Sequence, residues 1–143
     1  MMMVNATSWS TRWRAHGEVR AVGGNQSFDL SPGGDVIVVL EGAIDVFATE
    51  TDADGASGRR HELLRLEEGE SAWPLAHAES GATLIAIPLP DTKVLVLTRE
   101  VMIRLARDPL TRDDVLQQLS RWMTAIAATQ ADAEAALATS QGG

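Results

Sequence analysis

Three histidines, a cluster of glutamates and a scatter of serines are the residues of this 143-residue chain that usually carry chemistry. A metal site in a small barrel typically sets two histidines a residue apart, with a carboxylate and a further histidine beside them. His16, His61 and His77 instead stand alone in different segments, so only convergence in space could make them ligands. The plain alternative is three solvated or hydrogen-bonded imidazoles. Glu67, Glu68 and Glu70 surround Gly69, where an acid–base pair is the sharp reading and a charged turn the simpler one. No serine has a Gly-x-Ser-x-Gly setting, and neither Gly-Gly pair is followed by Lys-Ser or Lys-Thr. Cysteine is absent, which excludes disulfides, thiol nucleophiles and thiolate metal sites. No catalytic residue, metal site or cofactor is assigned, and the chain is not expected to be an enzyme.

The charge balance narrows the partners. Twelve basic against twenty acidic residues give a formal charge of −8, which disfavours a phosphate backbone or an anionic membrane surface. The longest apolar runs, Val36–Leu40 and Leu84–Leu89, fall far short of the ~20 residues of a spanning helix. Met1-Met2-Met3-Val4-Asn5 lacks the basic region and long apolar stretch of a secretory signal, so a soluble, cytoplasmic protein is expected. A tether to the inner membrane through a larger assembly is compatible with this.

Three regions position these residues. Residues 1–17 form a helical or irregular segment, with Trp9 and Trp13 four apart on one face of a short helix capped by Thr7 or Ser8. Residues 18–98 read as short strands between turns at Gly23-Gly24, Ser31–Gly34, Glu41-Gly42, Glu68-Gly69, Ser80-Gly81 and Pro90-Asp91. Runs at Asp35–Leu40, Ala43–Thr49, His61–Leu66, Ala82–Leu89 and Lys93–Leu97 predict an all-β barrel or sandwich, with Thr51–Gly58 as a solvated hairpin tip. Residues 99–143 change period. Val101, Met102, Leu105 and Ala106 make a short helix that Pro109 stops, and Thr111 to Asp114 offer a capping box. Val115, Leu119, Trp122, Met123 and Ile126 then fall at helical spacing, ahead of an alanine-rich tail from Ala127 to Thr139 that should fray.

The order of these elements resembles the cyclic-nucleotide-binding β-roll. The resemblance is carried by Phe28 to Gly42, Ile44-Asp45-Val46-Phe47, the hairpin at Asp54-Gly55, Leu64-Arg65-Leu66 and Gly69-Glu70. It implies a mainly β fold, a cupin-like double-stranded β-helix or jelly roll, followed by amphipathic C-terminal helices. It also implies a phosphate-binding cassette opened by Gly69 and Glu70, and this cassette departs from the family pattern. Trp73-Pro74-Leu75 stand where the family has Phe-Gly-Glu, so the ribose-binding carboxylate is missing. Ser80-Gly81-Ala82-Thr83-Leu84 stand where it has Arg-Ala-Ala-Thr-Val, so Ser80 replaces the phosphate-pairing arginine. A hydroxyl cannot supply a bidentate charge-assisted contact, and Pro74 removes an amide donor. The pocket reads as vestigial.

A second likeness uses these same departures. Val39–Ala48, Gly58–Glu70 and Trp73-Pro74-Leu75 look like segments of the ATP-binding-cassette peptide exporters of nitrile-hydratase-leader microcin (bacteriocin) systems. Those exporters carry a cyclic-nucleotide-binding-like domain before their membrane helices and ATPase. The resemblance implies a non-enzymatic interaction or regulatory domain in such an export system, with any ATPase activity residing in parts this chain lacks. The expected partner is a protein or peptide, either a leader peptide or a transporter segment. Arg59, Arg60, Trp73 and Trp122 are the partner-binding candidates, and Trp9, Trp13 and Trp73 count as candidate exposed anchors. The plain alternatives are a solvated turn and core tryptophans. The stripe Val115/Leu119/Trp122/Ile126 either packs on the roll or forms a homodimer. Two other functions compete: a sensor of a cyclic nucleotide or another small anion, and a cupin-like metalloenzyme using His16, His61 or His77.

Overall fold

The computed structural model describes residues 8–23, 26–30, 33–51, 57–74 and 82–142, without the side chains of residues 8, 49–51, 57–61, 82–83 and 130–142. Two four-stranded antiparallel sheets face each other across the core. One has the order β1 (Glu18–Val22), β8 (Thr92–Leu97), β3 (Val36–Glu41), β6 (Ser71–Ala72); the other runs β2 (Phe28–Asp29), β7 (Ala82–Pro88), β4 (Ile44–Thr51), β5 (Ser57–Leu66). The strands apolar on both faces lie inside their sheet, as the sequence requires: Val36 to Val39 of β3 and Val94 to Leu97 of β8 are all buried. In β4, Ile44 and Val46 are fully buried while Asp45 between them turns outward. Asp45 takes a two-pronged hydrogen bond from its cross-strand partner Arg65, at 2.7 and 3.2 Å, and this pairing raises the guanidinium pKa.

Thr51, Ser57 and Gly58 belong to strands, with Thr51 paired to Ser57; the expected solvated tip is therefore shorter, and residues 52–56 lie outside the described part. The chain passes from one sheet to the other at Gly42, where φ is +89°. The Thr92 hydroxyl donates to the Ala43 carbonyl at 3.1 Å there and accepts from the Ala43 amide at 3.4 Å. This approach leaves no room for a side chain, since a Cβ on Gly42 would lie 2.9 Å from the Thr92 Cα.

Three helices flank the roll. In α1 (Ser8–Arg14), Trp9 and Trp13 meet edge to face at 4.5 Å and are 7% and 0% exposed, which makes them core. In α2 (Arg99–Arg107), the Thr98 hydroxyl caps the first turn by accepting from the Val101 amide. In α3 (Arg112–Gly142), Val115, Gln118, Trp122 and Ile126 form the buried stripe. Alanine's high helix propensity carries α3 on to Gly142, where Leu137 is the one large apolar residue after Ile126. The expected capping box is replaced by other contacts. The Thr111 hydroxyl donates to the Leu105 carbonyl at 2.6 Å, clipping the α2–α3 elbow, and Asp114 receives Arg12 of α1 at 2.6 Å.

The crossing at Gly42 gives a paired prediction. Gly42→Ala should lower the unfolding free energy by about 2–3 kcal/mol, combining left-handed strain with a clash. Gly33→Ala, at φ +84° in open space, should cost only about 1–2 kcal/mol. Urea denaturation of both variants checks the order, and equal losses would show that Thr92 yields.

Candidate functional site

The candidate site is built where the first arm of the cassette meets the C-terminal helices. Gly69, at φ +85°, donates its amide to the Val39 carbonyl, and the Val39 amide returns a bond to the Glu70 carbonyl, both at 2.9 Å. The Glu70 carboxylate accepts the Glu67 amide at 2.7 Å, so it closes its own turn. β6 follows, registered on β3 by Val38 opposite Ser71 and Ile37 opposite Ala72. That register delivers the Ser71 hydroxyl to α3, where it donates to the Gln118 side-chain carbonyl at 2.9 Å. The Trp73 indole N–H donates back to the same hydroxyl at 2.9 Å. Ser71, Gln118 and Trp73 are 3%, 3% and 8% exposed, so the bridge is made out of water, where each unpaired partner would be costly.

Two hollows lie on either side of this bridge. The inner one, between Leu66, Glu70, Ser71, Arg121, Trp122 and Ala125, holds about 20 Å³, close to the room of one water molecule. Trp122 lines this space with its indole N–H unpartnered among the described residues. The outer hollow is a groove of about 350 Å³ between the roll and both helices. Val36, Trp73, Met102 and Val115 make its buried floor, and Ile103, Leu116 and Leu119 its more open walls. Pro74, Gly33, Gly34 and Arg99 stand around it, and Arg99 is the one charged residue of the described lining.

The residues singled out from sequence are thus dispersed. Gly69, Glu70, Trp73 and Pro74 come together with Trp122 beside the bridge. Trp73 and Trp122 are both buried, at 8% and 2% exposure, and so do not stand out as surface anchors; Trp9 and Trp13 are likewise core. Leu75 and Ser80 lie outside the described residues, and Ala82 is placed only as the first residue of β7, opposite Glu50. Arg59 and Arg60 sit on β5, Arg60 opposite Thr49, with side chains outside the described part. His16 is exposed after α1, while His77 and the His61 side chain are not described. No group of three metal-binding side chains occurs among the described residues. Val115, Trp122 and Ile126 pack on the roll; the exposed large apolar residues of α3 among those described are Leu116 and Met123, on a neighbouring stripe. No described helix is long and apolar enough to cross a membrane.

Sequence reasoning missed Ser71, Gln118 and Arg99. Gln118 carried a signal: it stands three residues after Val115 and four before Trp122, a polar side chain on a core stripe, which demands a buried partner. Arg99 carried another, as a cation in the first turn of a helix, where the macrodipole opposes it.

Comparison with solved structures places this architecture. The chain is similar to oxidized CprK in complex with o-chlorophenolacetic acid, with a TM-score of 0.65 and 15% identity over 91% of this chain and 52% of that one. The catabolite activator protein of Thermus thermophilus matches with a TM-score of 0.57 and 21% identity, over 92% of this chain and 59% of that one. The CO-dependent transcription factor CooA of Carboxydothermus hydrogenoformans, in its imidazole-bound form, matches with a TM-score of 0.65 and 11% identity, over 94% and 56%. The chain therefore spans between 52% and 59% of the length of these structures. Neither the protein-family models nor the curated proteins give a match. At such identities the likeness shows the fold, a cyclic-nucleotide-binding-like β-roll followed by C-terminal helices.

The buried bridge predicts strong coupling. Ser71→Ala should remove about 1–3 kcal/mol of stability by stranding both the Trp73 N–H and the Gln118 carbonyl. Gln118→Leu should cost less in the Ser71→Ala background than alone, and a double-mutant cycle in urea measures that difference. Additive losses would show that the bond carries no energy.

Proposed function

We propose that this chain is a non-enzymatic regulatory module whose roll no longer accepts a cyclic nucleotide and whose responsive element is the junction of the roll with α2 and α3. The observation that carries this reading is the Ser71 bridge, beside which the hollow lined by Trp122 holds about 20 Å³ among the described residues. Pockets for drug-sized ligands begin near ~300 Å³. The missing carboxylate and arginine of the cassette, with Trp73-Pro74-Leu75 and Ser80 in their place, support the same conclusion. Two of the similar structures hold small molecules, o-chlorophenolacetic acid and imidazole, which favours a module of this fold as a small-molecule sensor.

Calorimetric titration with cyclic AMP and cyclic GMP to millimolar concentration tests the closed roll. No heat and no thermal shift are expected. A site saturated to ~100 times its Kd would add about 2.7 kcal/mol of stability, and that result would overturn the reading.

The finer placement, an accessory domain of a microcin-type peptide exporter, is supported by the likeness of residues 39–48, 58–70 and 73–75. In that setting Arg59 and Arg60 meet the leader peptide or a transporter segment, and any self-association of α3 uses the exposed Leu116 and Met123. A synthetic nitrile-hydratase-like leader should bind the protein, and Arg59→Ala with Arg60→Ala should weaken it about tenfold or more. Unchanged affinity would remove the hairpin from the interface.

A further inference from the structure

The outer groove differs from the inner hollow in every property that decides what a cavity can hold. Its volume of about 350 Å³ lies in the range of small-ligand sites, and its floor is apolar and buried. Its single charge among the described residues is Arg99, which makes no ion pair with any of them. Arg99 is also the first residue of α2, where a cation opposes the helix macrodipole. A negative group beside that turn would be favoured by the guanidinium and the helix end together.

The charge count sets the class of that group. One guanidinium matches one carboxylate in a two-pronged contact, whereas a phosphate dianion would leave charge uncompensated against an apolar floor. The protein's net charge of −8 further selects against multiply charged anions. The remainder of the ligand must be apolar, to lie on Trp73, Met102 and Leu119.

We infer that this groove binds a free apolar monocarboxylate, its carboxylate on Arg99 and its hydrocarbon against Trp73 and the α2–α3 walls. This deepens the regulatory reading and rests on it only in taking the junction, not the roll interior, as the responsive site. The ligand touches the roll through Val36 and Trp73 and both helices through Met102 and Leu119, so its affinity depends on how the helices sit.

Titration of the full chain with sodium octanoate, followed by calorimetry and tryptophan fluorescence, tests the assignment, with 1-octanol as the uncharged comparison. Octanoate should bind saturably at a single site and more tightly than 1-octanol. Arg99→Gln should weaken octanoate by about tenfold to a hundredfold while leaving 1-octanol unchanged. Ala106→Leu, which fills the groove wall, should weaken both ligands. Circular dichroism melts confirm that each variant folds. Equal affinity for octanoate and 1-octanol overturns the inference, as does an Arg99→Gln variant that binds octanoate like the parent. Absence of octanoate binding at millimolar concentration also overturns it. The cyclic-nucleotide titration is read separately, so failure here leaves the closed roll standing, and nucleotide binding would remove the regulatory reading itself.

Discussion

The Ser71 hydroxyl is the point on which the junction depends, because it is the shared atom between the sheet, the cassette arm and α3. It accepts the Trp73 N–H and donates to Gln118, each at 2.9 Å, and the sheet register against Val38 fixes where it stands. A hydroxyl has one proton to give, so donating to Gln118 leaves its lone pairs for the indole, and the two bonds are mutually consistent. All three side chains are buried, so the energy at stake is the cost of leaving a dry donor or acceptor without a partner. A rotation of α3 that carried Gln118 away would break this bond and leave its carbonyl and the Ser71 proton without partners. The bridge therefore selects one helix orientation, whereas apolar packing alone would tolerate several.

With α3 held in that orientation, Trp122 packs beside the cassette arm, where the hollow between Leu66, Glu70 and α3 holds about 20 Å³. Trp122 lies one helical turn beyond Gln118, so fixing the glutamine aims the indole into the space between Leu66 and Glu70. The cassette arm contributes to the same end from the other side. Pro74 offers no amide, Trp73 is occupied with Ser71, and the Glu70 carboxylate is spent on the Glu67 amide within its own turn. The cassette arm thus offers no amide at Pro74 and no free indole N–H at Trp73.

Much of the roll was legible because its central strands bury both faces. Val36–Val39 and Val94–Leu97 announce themselves as apolar runs, and glycines with positive φ at positions 42 and 69 mark the turns. The shorter strands carry no such signal. β1 exposes every residue but Val22, and β2 and β6 have two residues each, so their partner strands define them. The tryptophans show the limit of periodicity: spacing puts Trp9 with Trp13 on a face, but burial depends on what that face meets. Trp13 and Trp122 proved to be core, and the candidate site formed around Ser71, Gln118 and Arg99, two of them neutral residues whose meaning lies in their partners.

The elbow between α2 and α3 connects the closed interior to the open groove. Asp108, Pro109 and Leu110 interrupt the helix, and the break is held by the Thr111 hydroxyl on the Leu105 carbonyl and by Arg12 on Asp114. Proline prevents a continuous helix, so α2 and α3 must leave an angle between them, and the groove is the space inside that angle. Its floor joins Val36 and Trp73 of the roll to Met102 and Val115 of the helices, so an occupant lying on that floor contacts both. The same Trp73 forms part of that floor and donates to Ser71. Displacing the indole from the groove side therefore strains the bond that sets α3. An occupant of the proposed site would act on the helix orientation directly, without passing through the interior of the roll.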